Sequence, residues 1–394
     1  MTSNELFTID SQNVMQTYGR FPLAIDHGEG ATLYSPEGKA YTDFASGIGV
    51  NCLGYGNEKW LEAISAQAAK LQHASNLYYT EPYIRLAEQL TGRTGMRRAF
   101  FANGGGEANE GMIKLCRKYS FDRYGQGRST IITLKDSFHG RTVTTLAATG
   151  QDVFHQYFFP FTEGFVYADA NDIDSICALD DGSVCAVMME LVQGEGGVLP
   201  LQYEFVQQVK ALCEDKDWLL AVDEVQTGVG RTGSLFCFQQ YDILPDVMSF
   251  AKGIGGGLPL AGILAGERTE SVLTPGTHAT TFGGNPVCCA GALSVLEQLD
   301  DTLLAGVREK GEYLRSRLLE MPGVQEVRGM GLMLGVGLRD GCNAGELVRA
   351  MLDEGVLCLT AGHNTIRLLP PLTISEAEMD QGLSAMARVL EAAS

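Results

Sequence analysis

Asp223 and Lys252 each stand where an apolar run stops. Asp223 closes Trp218-Leu219-Leu220-Ala221-Val222, and Lys252 closes Val247-Met248-Ser249-Phe250-Ala251. One strand-to-strand crossover fits between them, so both side chains can face one crevice. A lysine in apolar surroundings loses part of its preference for the charged form and can attack an aldehyde as a free amine. A carboxylate in the same crevice can keep a pyridine nitrogen protonated, which makes that ring an electron sink. A third feature is Phe100-Phe101-Ala102-Asn103-Gly104-Gly105-Gly106-Glu107-Ala108, which passes from a strand through glycines into a helix. The apolar face of that helix is Ala108, Met112, Leu115, Cys116 and Tyr119. Bare backbone N–H groups at a helix start bind phosphate, and glycines let it come close. Each feature alone reads as a turn, a surface charge or an ion pair. Their conjunction describes a pyridoxal phosphate site.

Other motifs fit less well. Gly228-Val229-Gly230-Arg231-Thr232-Gly233 satisfies GxGxxG after a strand, but Ser234-Leu235-Phe236-Cys237-Phe238 does not open the amphipathic helix that a dinucleotide site requires. No GxxxxGK run exists for a nucleoside triphosphate. Glu190 and Glu195 flank one loop as a glycosidase pair could, yet no sugar-stacking aromatics accompany them, and Glu195 could equally pair with an arginine across the site. In Ser137-Phe138-His139-Gly140-Arg141-Thr142, Arg141 suits a carboxylate clamp, and Phe138 could stack on a planar cofactor. His139 could act as a base, although Lys252 is better placed.

The elements that must position these residues alternate. Apolar runs at 99–102, 130–134, 184–189, 219–222, 247–251 and 263–265 are separated in several places by stretches able to carry a helix, which predicts an α/β fold with a largely parallel sheet covered on both faces. Polar or glycine residues follow four of the runs at once, on the edge where open α/β sheets bind ligands. Asn285 and Pro286 open a long apolar helix to about Leu299, expected to leave the large domain. Beyond it come an apolar glycine-rich run at 329–337, a helix at 345–353, strands at 356–360 and 365–369, and a last helix capped by Ser375 and Glu378. The division expected is an N-terminal segment 1–50 completing the small domain, a large domain 51–290 and a C-terminal α+β domain 291–394.

Composition narrows the function. The 394 residues carry 29 Lys and Arg against 48 Asp and Glu, a net charge of −19 that repels nucleic acid and anionic lipid in the absence of a basic patch. No apolar run is long enough for a membrane span or a signal peptide, and a cytoplasmic protein is expected. The 10 cysteines form no CxxC pair and mostly sit in apolar runs, which speaks for reduced thiols and against metal.

The runs FFANGGGEANEGMIKLCRKY, SFHGRT, MMELVQGEGG, AVDEVQTGVGRTG, SFAKGIGGGLPL, TTFGGNP and IRLLPPL, in this order, resemble the class III pyridoxal-phosphate aminotransferases of fold type I. The opening MQTYGRFPLAIDHGEGATLYSPEGKAYTDFASGIGVN is most similar to the acetylornithine aminotransferases. The resemblance implies a mostly parallel seven-stranded sheet in the large domain and pyridoxal 5'-phosphate as cofactor. Lys252 would hold the cofactor aldehyde covalently, Asp223 would meet the pyridine nitrogen, Gln226 the phenolic oxygen and Phe138 the ring face. Backbone N–H groups of Gly105 and Gly106 would hold the phosphate, which Thr281 would reach from the neighbouring subunit of a homodimer. Thr280 would lie beside the substrate.

The same resemblance implies a specificity device. Arg141 would bind the donor's α-carboxylate, and in the second half-reaction the side-chain carboxylate of 2-oxoglutarate. Arg367 would grip that keto acid's α-carboxylate after releasing Glu195, which masks it meanwhile. Gly104 departs from the family's usual serine. Ile48 stands where ornithine aminotransferases carry a tyrosine, which tilts the choice from free ornithine towards an acylated donor; N-acetylornithine is expected, with succinylornithine, ornithine, 4-aminobutyrate and succinyl-diaminopimelate as alternatives that share every motif. Tyr18 would line the same pocket. Outside this group stand a same-fold aminomutase, which needs no 2-oxoglutarate, and a non-catalytic binding protein.

Overall fold

Seven strands form the central sheet of the computed structural model, which describes residues 1–393: β1 (Arg98–Ala102), β2 (Thr130–Leu134), β3 (Phe165–Ala168), β4 (Val184–Met189), β5 (Leu219–Asp223), β6 (Val247–Phe250) and β7 (Ala261–Ala265). Their spatial order is β1-β7-β6-β5-β4-β2-β3. All neighbours are parallel except β7, which runs antiparallel to both β1 and β6. Strands β4 to β7 are buried along their whole length, as expected for a sheet covered by helices on both faces, and this explains their unbroken apolar runs. Parallel strands bring their carboxyl ends to one edge. Asp223, the last residue of β5, is in register with Ser249 of β6, so Lys252 emerges beside it.

A second unit is built from both ends of the chain. Strands Val324–Met330 and Met333–Leu338 form a hairpin that continues through Thr365–Leu368 to Leu359–Ala361. The single apolar run at 329–337 is therefore the turn and second arm of a hairpin. Gly331 makes that turn with φ +54, and a Cβ there would lie 2.6 Å from the Thr232 carbonyl carbon. Strands at 27–29, 32–34 and 40–43 form an antiparallel meander, and Val356–Leu357 pairs in parallel with the last of them. That pairing ties residues 42–43 to the C-terminal unit, and we propose that the segment 1–50 belongs with it.

Two expectations need correction. The run 356–360 is split at Cys358 between two sheets, because its first part pairs with 42–43 and its second with 365–367. The helix Pro286–Gln298, capped by the Asn285 side chain, stays on the large unit: it packs against helices Glu58–Lys70 and Glu81–Thr94, and a Cβ on Gly291 would lie 2.9 Å from the Trp60 indole nitrogen. A boundary at 290 would cut this helix, so we propose the division after Gln298.

The GVGRTG run is a brace. Arg231 is fully buried and donates to the carbonyls of Leu332 and Pro370, tying the loop after β5 to the second unit. Burial pushes its pKa down to about 10. No described helix is long and apolar enough to cross a membrane.

Candidate active site

A cavity of about 740 Å³ opens at the carboxyl edge of the sheet. Gly105 and Gly106, Phe138, Arg141, Glu195, Asp223, Gln226 and Lys252 all line it, so residues drawn from five separate stretches of sequence meet there. Gly105 opens the helix Gly105–Tyr124 with Gly104 as its cap, and no side chain caps that end. Its N–H groups therefore face the cavity unspent. A Cβ on Gly105 would lie 2.8 Å from Cγ1 of Val225, which gives the glycine a steric cause. At Gly104 nothing lies within 4 Å of the place a Cβ would take, so the departure from serine leaves open space.

Asp223 is held on both oxygens. Oδ2 accepts from Asn109 Nδ2 at 2.7 Å and from His139 Nδ1 at 2.8 Å, while Oδ1 accepts from the Val225 N–H at 3.0 Å and, at 3.4 Å, from the Ser249 hydroxyl. Because a carboxylate only accepts, His139 must carry its hydrogen on Nδ1. The Ser249 contact, at 3.4 Å, is the longest of the four and the one most easily given up to another N–H. Sequence reasoning misses Asn109 and offers His139 as a base; the buried His139 side chain faces Asp223 instead. The available signal is a polar residue, Asn109, beside the apolar face of its helix. Glu190, in sequence a candidate glycosidase acid, has another part. It is buried and accepts from the N–H groups of Phe138 and Gly194, tying together the two loops that flank the cavity. Burial pushes its pKa up, opposed by His139 and reinforced by Asp223.

Lys252 is half-buried in the cavity wall, and its backbone is left-handed at φ +48, a conformation that costs a non-glycine residue roughly 1–3 kcal/mol and recurs at functional sites. Burial, then the charge of Arg367, brings its pKa down to about 8, against the pull of Glu195, Asp223 and Glu190. Arg367 donates to Glu195 Oε1 at 2.6 Å and to Gln226 Oε1 at 3.2 Å. Burial acts to raise the Glu195 pKa, but Arg367, Lys252 and Gln226 together outweigh it and the net shift is downward. Arg141 is exposed at the cavity wall.

Other expected residues lie outside the cavity lining. Tyr18 lines a separate cavity of about 460 Å³ with Phe21, Val348, Leu352 and Leu357, because its segment packs on the second unit; its ring is 73% exposed and faces Arg20. Within this chain Tyr18 is therefore not part of the Lys252 cavity. Thr280 accepts a hydrogen bond from Asn103 at 3.2 Å at the cavity rim, and Thr281 is exposed. Ile48, in a left-handed turn from Ser46 to Gly49, is 45% exposed, and Val50 lines the cavity instead.

Residues 14–390 match the family described as Aminotransferase class-III. The acetylornithine aminotransferase of Haemophilus ducreyi is 48% identical over 391 residues, covering 99% of each chain. The solved N-acetylornithine aminotransferase from Stenotrophomonas maltophilia superposes with a TM-score of 0.85 at 34% identity over 98% of each chain. The ornithine aminotransferase from Toxoplasma gondii, crystallised in presence of oxidised glutathione with partial occupancy of PLP at its active site, superposes with a TM-score of 0.94 at 29% identity, covering 99% of this chain and 94% of that one.

Proposed function

The chain belongs to the class III aminotransferases, and from that membership we propose that it transfers the distal amino group of N-acetyl-L-ornithine to 2-oxoglutarate, giving N-acetyl-L-glutamate 5-semialdehyde and L-glutamate, a step of arginine biosynthesis. Enzymes of this family use pyridoxal 5'-phosphate. The residues present fit that group: glycine N–H groups at a helix start suit the phosphate, Asp223 supplies a buried carboxylate, Phe138 a ring face, and Lys252 an amine of lowered pKa in the cavity wall. When bound, the cofactor supplies an aldehyde for the amine and a protonated ring that takes up an electron pair.

In this reading the chain's own groups do the rest. Gly105 and Gly106 hold the phosphate by backbone N–H, and Gln226 meets the phenolic oxygen. Asp223, oriented by Asn109 and His139, keeps the pyridine nitrogen protonated. Lys252 Nζ, about half neutral at pH 8, takes the proton from the amine-bearing carbon of the donor and, in the second half-reaction, gives one to the keto carbon of 2-oxoglutarate. Arg141 binds the donor's α-carboxylate while Glu195 covers Arg367. With 2-oxoglutarate, Arg141 takes the distal carboxylate and Arg367 the α-carboxylate. The observation that carries the proposal is this pair of arginines beside Lys252, one with a free fork and one masked by a carboxylate. Such a site accepts a monocarboxylic amine and a dicarboxylic keto acid in turn.

The donor itself rests on the full-length likeness to acetylornithine aminotransferases; the fold, shared with an ornithine aminotransferase, does not discriminate. We place Thr281 at the phosphate of a neighbouring copy and Thr280 near the substrate. In support, Thr281 adjoins exposed Phe282, and Asn76 joins that loop, at the carbonyls of Thr280 and Gly283, to exposed Leu77, Tyr78 and Tyr79, an apolar patch suited to a homodimer. Tyr18 in this proposal reaches a substrate only through an assembly or a movement of its segment. A cytoplasmic location accords with ten free cysteines. The test is a panel of amine donors with 2-oxoglutarate, scored by kcat/KM. Highest efficiency with N-acetylornithine is expected; a clear preference for ornithine, succinylornithine, 4-aminobutyrate or succinyl-diaminopimelate would replace it, and turnover without keto acid would indicate an aminomutase.

A further inference from the structure

The two arginines are anchored in opposite ways. Arg367 is held by hydrogen bonds to Glu195 and Gln226, which occupy the donors that a substrate would need. No hydrogen bond or ion pair reaches the Arg141 guanidinium among the described residues. What holds it is a pair of aromatic rings: its guanidinium carbon lies 4.2 Å from the centroid of Phe154 and 5.5 Å from that of Phe138. A ring attracts a cation through its face at such distances, and does so without using an N–H. All five donors of the fork stay available for a carboxylate.

Phe154 is itself fixed. It ends a short 3-10 turn, Asp152–Phe154, whose flanks are tied to the elements around Arg141. On one side Gln151 Nε2 donates to the Ser137 carbonyl at 3.0 Å; on the other, His155 Nε2 lies 3.1 Å from the Leu146 carbonyl. The half-buried Phe154 ring meets Phe138 edge-on at 5.8 Å and 69°. The closer of the two rings therefore comes from a loop with no other part in the cavity. An unrestrained arginine would lose rotamer freedom each time a carboxylate arrived, and holding it beforehand removes that loss from the binding step.

We propose that Phe154 is a positioning residue for both half-reactions: its ring holds Arg141 in place while leaving the guanidinium fork free, so the same clamp is ready for the donor's carboxylate and for the keto acid's. The inference rests on the reading of Arg141 as the carboxylate clamp.

The experiment measures kcat and KM for N-acetylornithine and for 2-oxoglutarate in the holoenzyme and in Phe154→Leu, Phe154→Met, Phe154→Tyr, Arg141→Gln and the Phe154→Leu/Arg141→Gln double variant, with bound-cofactor absorbance as a check on the fold. Leu and Met keep apolar bulk without a π face; Tyr restores the face. Both KM values should rise roughly three- to tenfold in whichever of Leu and Met retains cofactor, with kcat little changed. Tyr should behave like the parent, and the Leu change should add nothing in the Arg141→Gln background. If Arg141→Gln raises both KM values but the Leu and Met variants do not, or if the Leu effect persists undiminished in the double variant, the inference fails and the clamp stands. If both Leu and Met lose the cofactor, Phe154 is a general packing residue and the inference fails likewise. If Arg141→Gln leaves both KM values unchanged, the clamp reading itself falls, and the role of Phe154 with it.

Discussion

Arg367 Nη1 and Glu195 Oε1 lie 2.6 Å apart, but the two side chains are unequally held: the arginine is 3% exposed and the glutamate 31%. Arg367 sits in the strand Thr365–Leu368 with neighbours on both sides, whereas Glu195 lies on the turn after Gln193. The member free to leave is the glutamate. Once it leaves, Arg367 keeps only Gln226 Oε1, and its Nε has no partner. A buried cation left so poorly satisfied gains strongly from a substrate carboxylate.

Glu195→Gln should therefore lower the KM for 2-oxoglutarate by roughly tenfold, the order of one charge-assisted hydrogen bond, while leaving the KM for the amine donor less affected. Arg367→Ala should do the reverse, raising the 2-oxoglutarate KM on the order of a hundredfold with a far smaller effect on the donor. Steady-state kinetics with each substrate varied in turn measure both. Equal changes for donor and keto acid in either variant would reject a gate that distinguishes them.

Asp223→Asn keeps the shape of the side chain and removes its charge. The N–H groups of Asn109, His139 and Val225 now point at that carboxylate, so the amide would have to turn one of its own donors towards another donor. Turnover should fall on the order of a thousandfold or more, because an electrostatic partner of the reacting ring is lost. Bound-cofactor absorbance should persist, since Lys252 and the phosphate cradle are untouched. A variant retaining a tenth of parent kcat would show that the ring needs no counter-charge here.

The strands at 130–134 and 184–189 are legible to the residue, because an apolar run buried on both faces needs no partner to be recognised. Phe165–Ala168 is not, since it lies at the sheet's edge, half-buried and only four residues long. The break at Cys358 is equally hidden, for pairing with residues 42–43 is a fact of tertiary structure. The same division runs through the site. Lys252 and Asp223 announce themselves as polar residues ending buried strands. Asn109, His139 and Phe154 act through another side chain, and no spacing in the sequence connects Asn109 with Asp223 or Phe154 with Arg141. The place of Tyr18 is hidden for the opposite reason: its motif is plain, but the path of its segment over the second unit is not.

Neighbouring glycines of the cradle should respond with opposite signs. Gly104 caps its helix with extended backbone and open space around it, so Gly104→Ser can supply the missing side-chain cap, a gain of a few tenths of a kcal/mol, together with one more donor near the phosphate. Gly105→Ala forces a Cβ against Val225 and should cost about 1–3 kcal/mol and weaken cofactor retention. Thermal melting and cofactor dissociation, followed in parallel, test the pair. A Gly105→Ala protein that melts and holds cofactor like the parent would mean that Val225 gives way.

Protonated, Lys252 cannot attack an aldehyde. Burial, and after it the charge of Arg367, favours the neutral amine and brings the pKa down to about 8. Covalent attachment of pyridoxal 5'-phosphate to the apoprotein, followed by absorbance after mixing, should accelerate about tenfold per pH unit below that value and level off above it, whereas an ordinary lysine would keep gaining towards about pH 10.4. Glu195 pulls the other way, since its negative charge favours the protonated amine. Glu195→Gln should thus move the inflection to lower pH, and Arg367→Ala to higher pH. An attachment rate that climbs unbroken past about pH 9 would mean an amine as well solvated as a free lysine, and the half-buried nucleophile on which the chemistry depends would be lost.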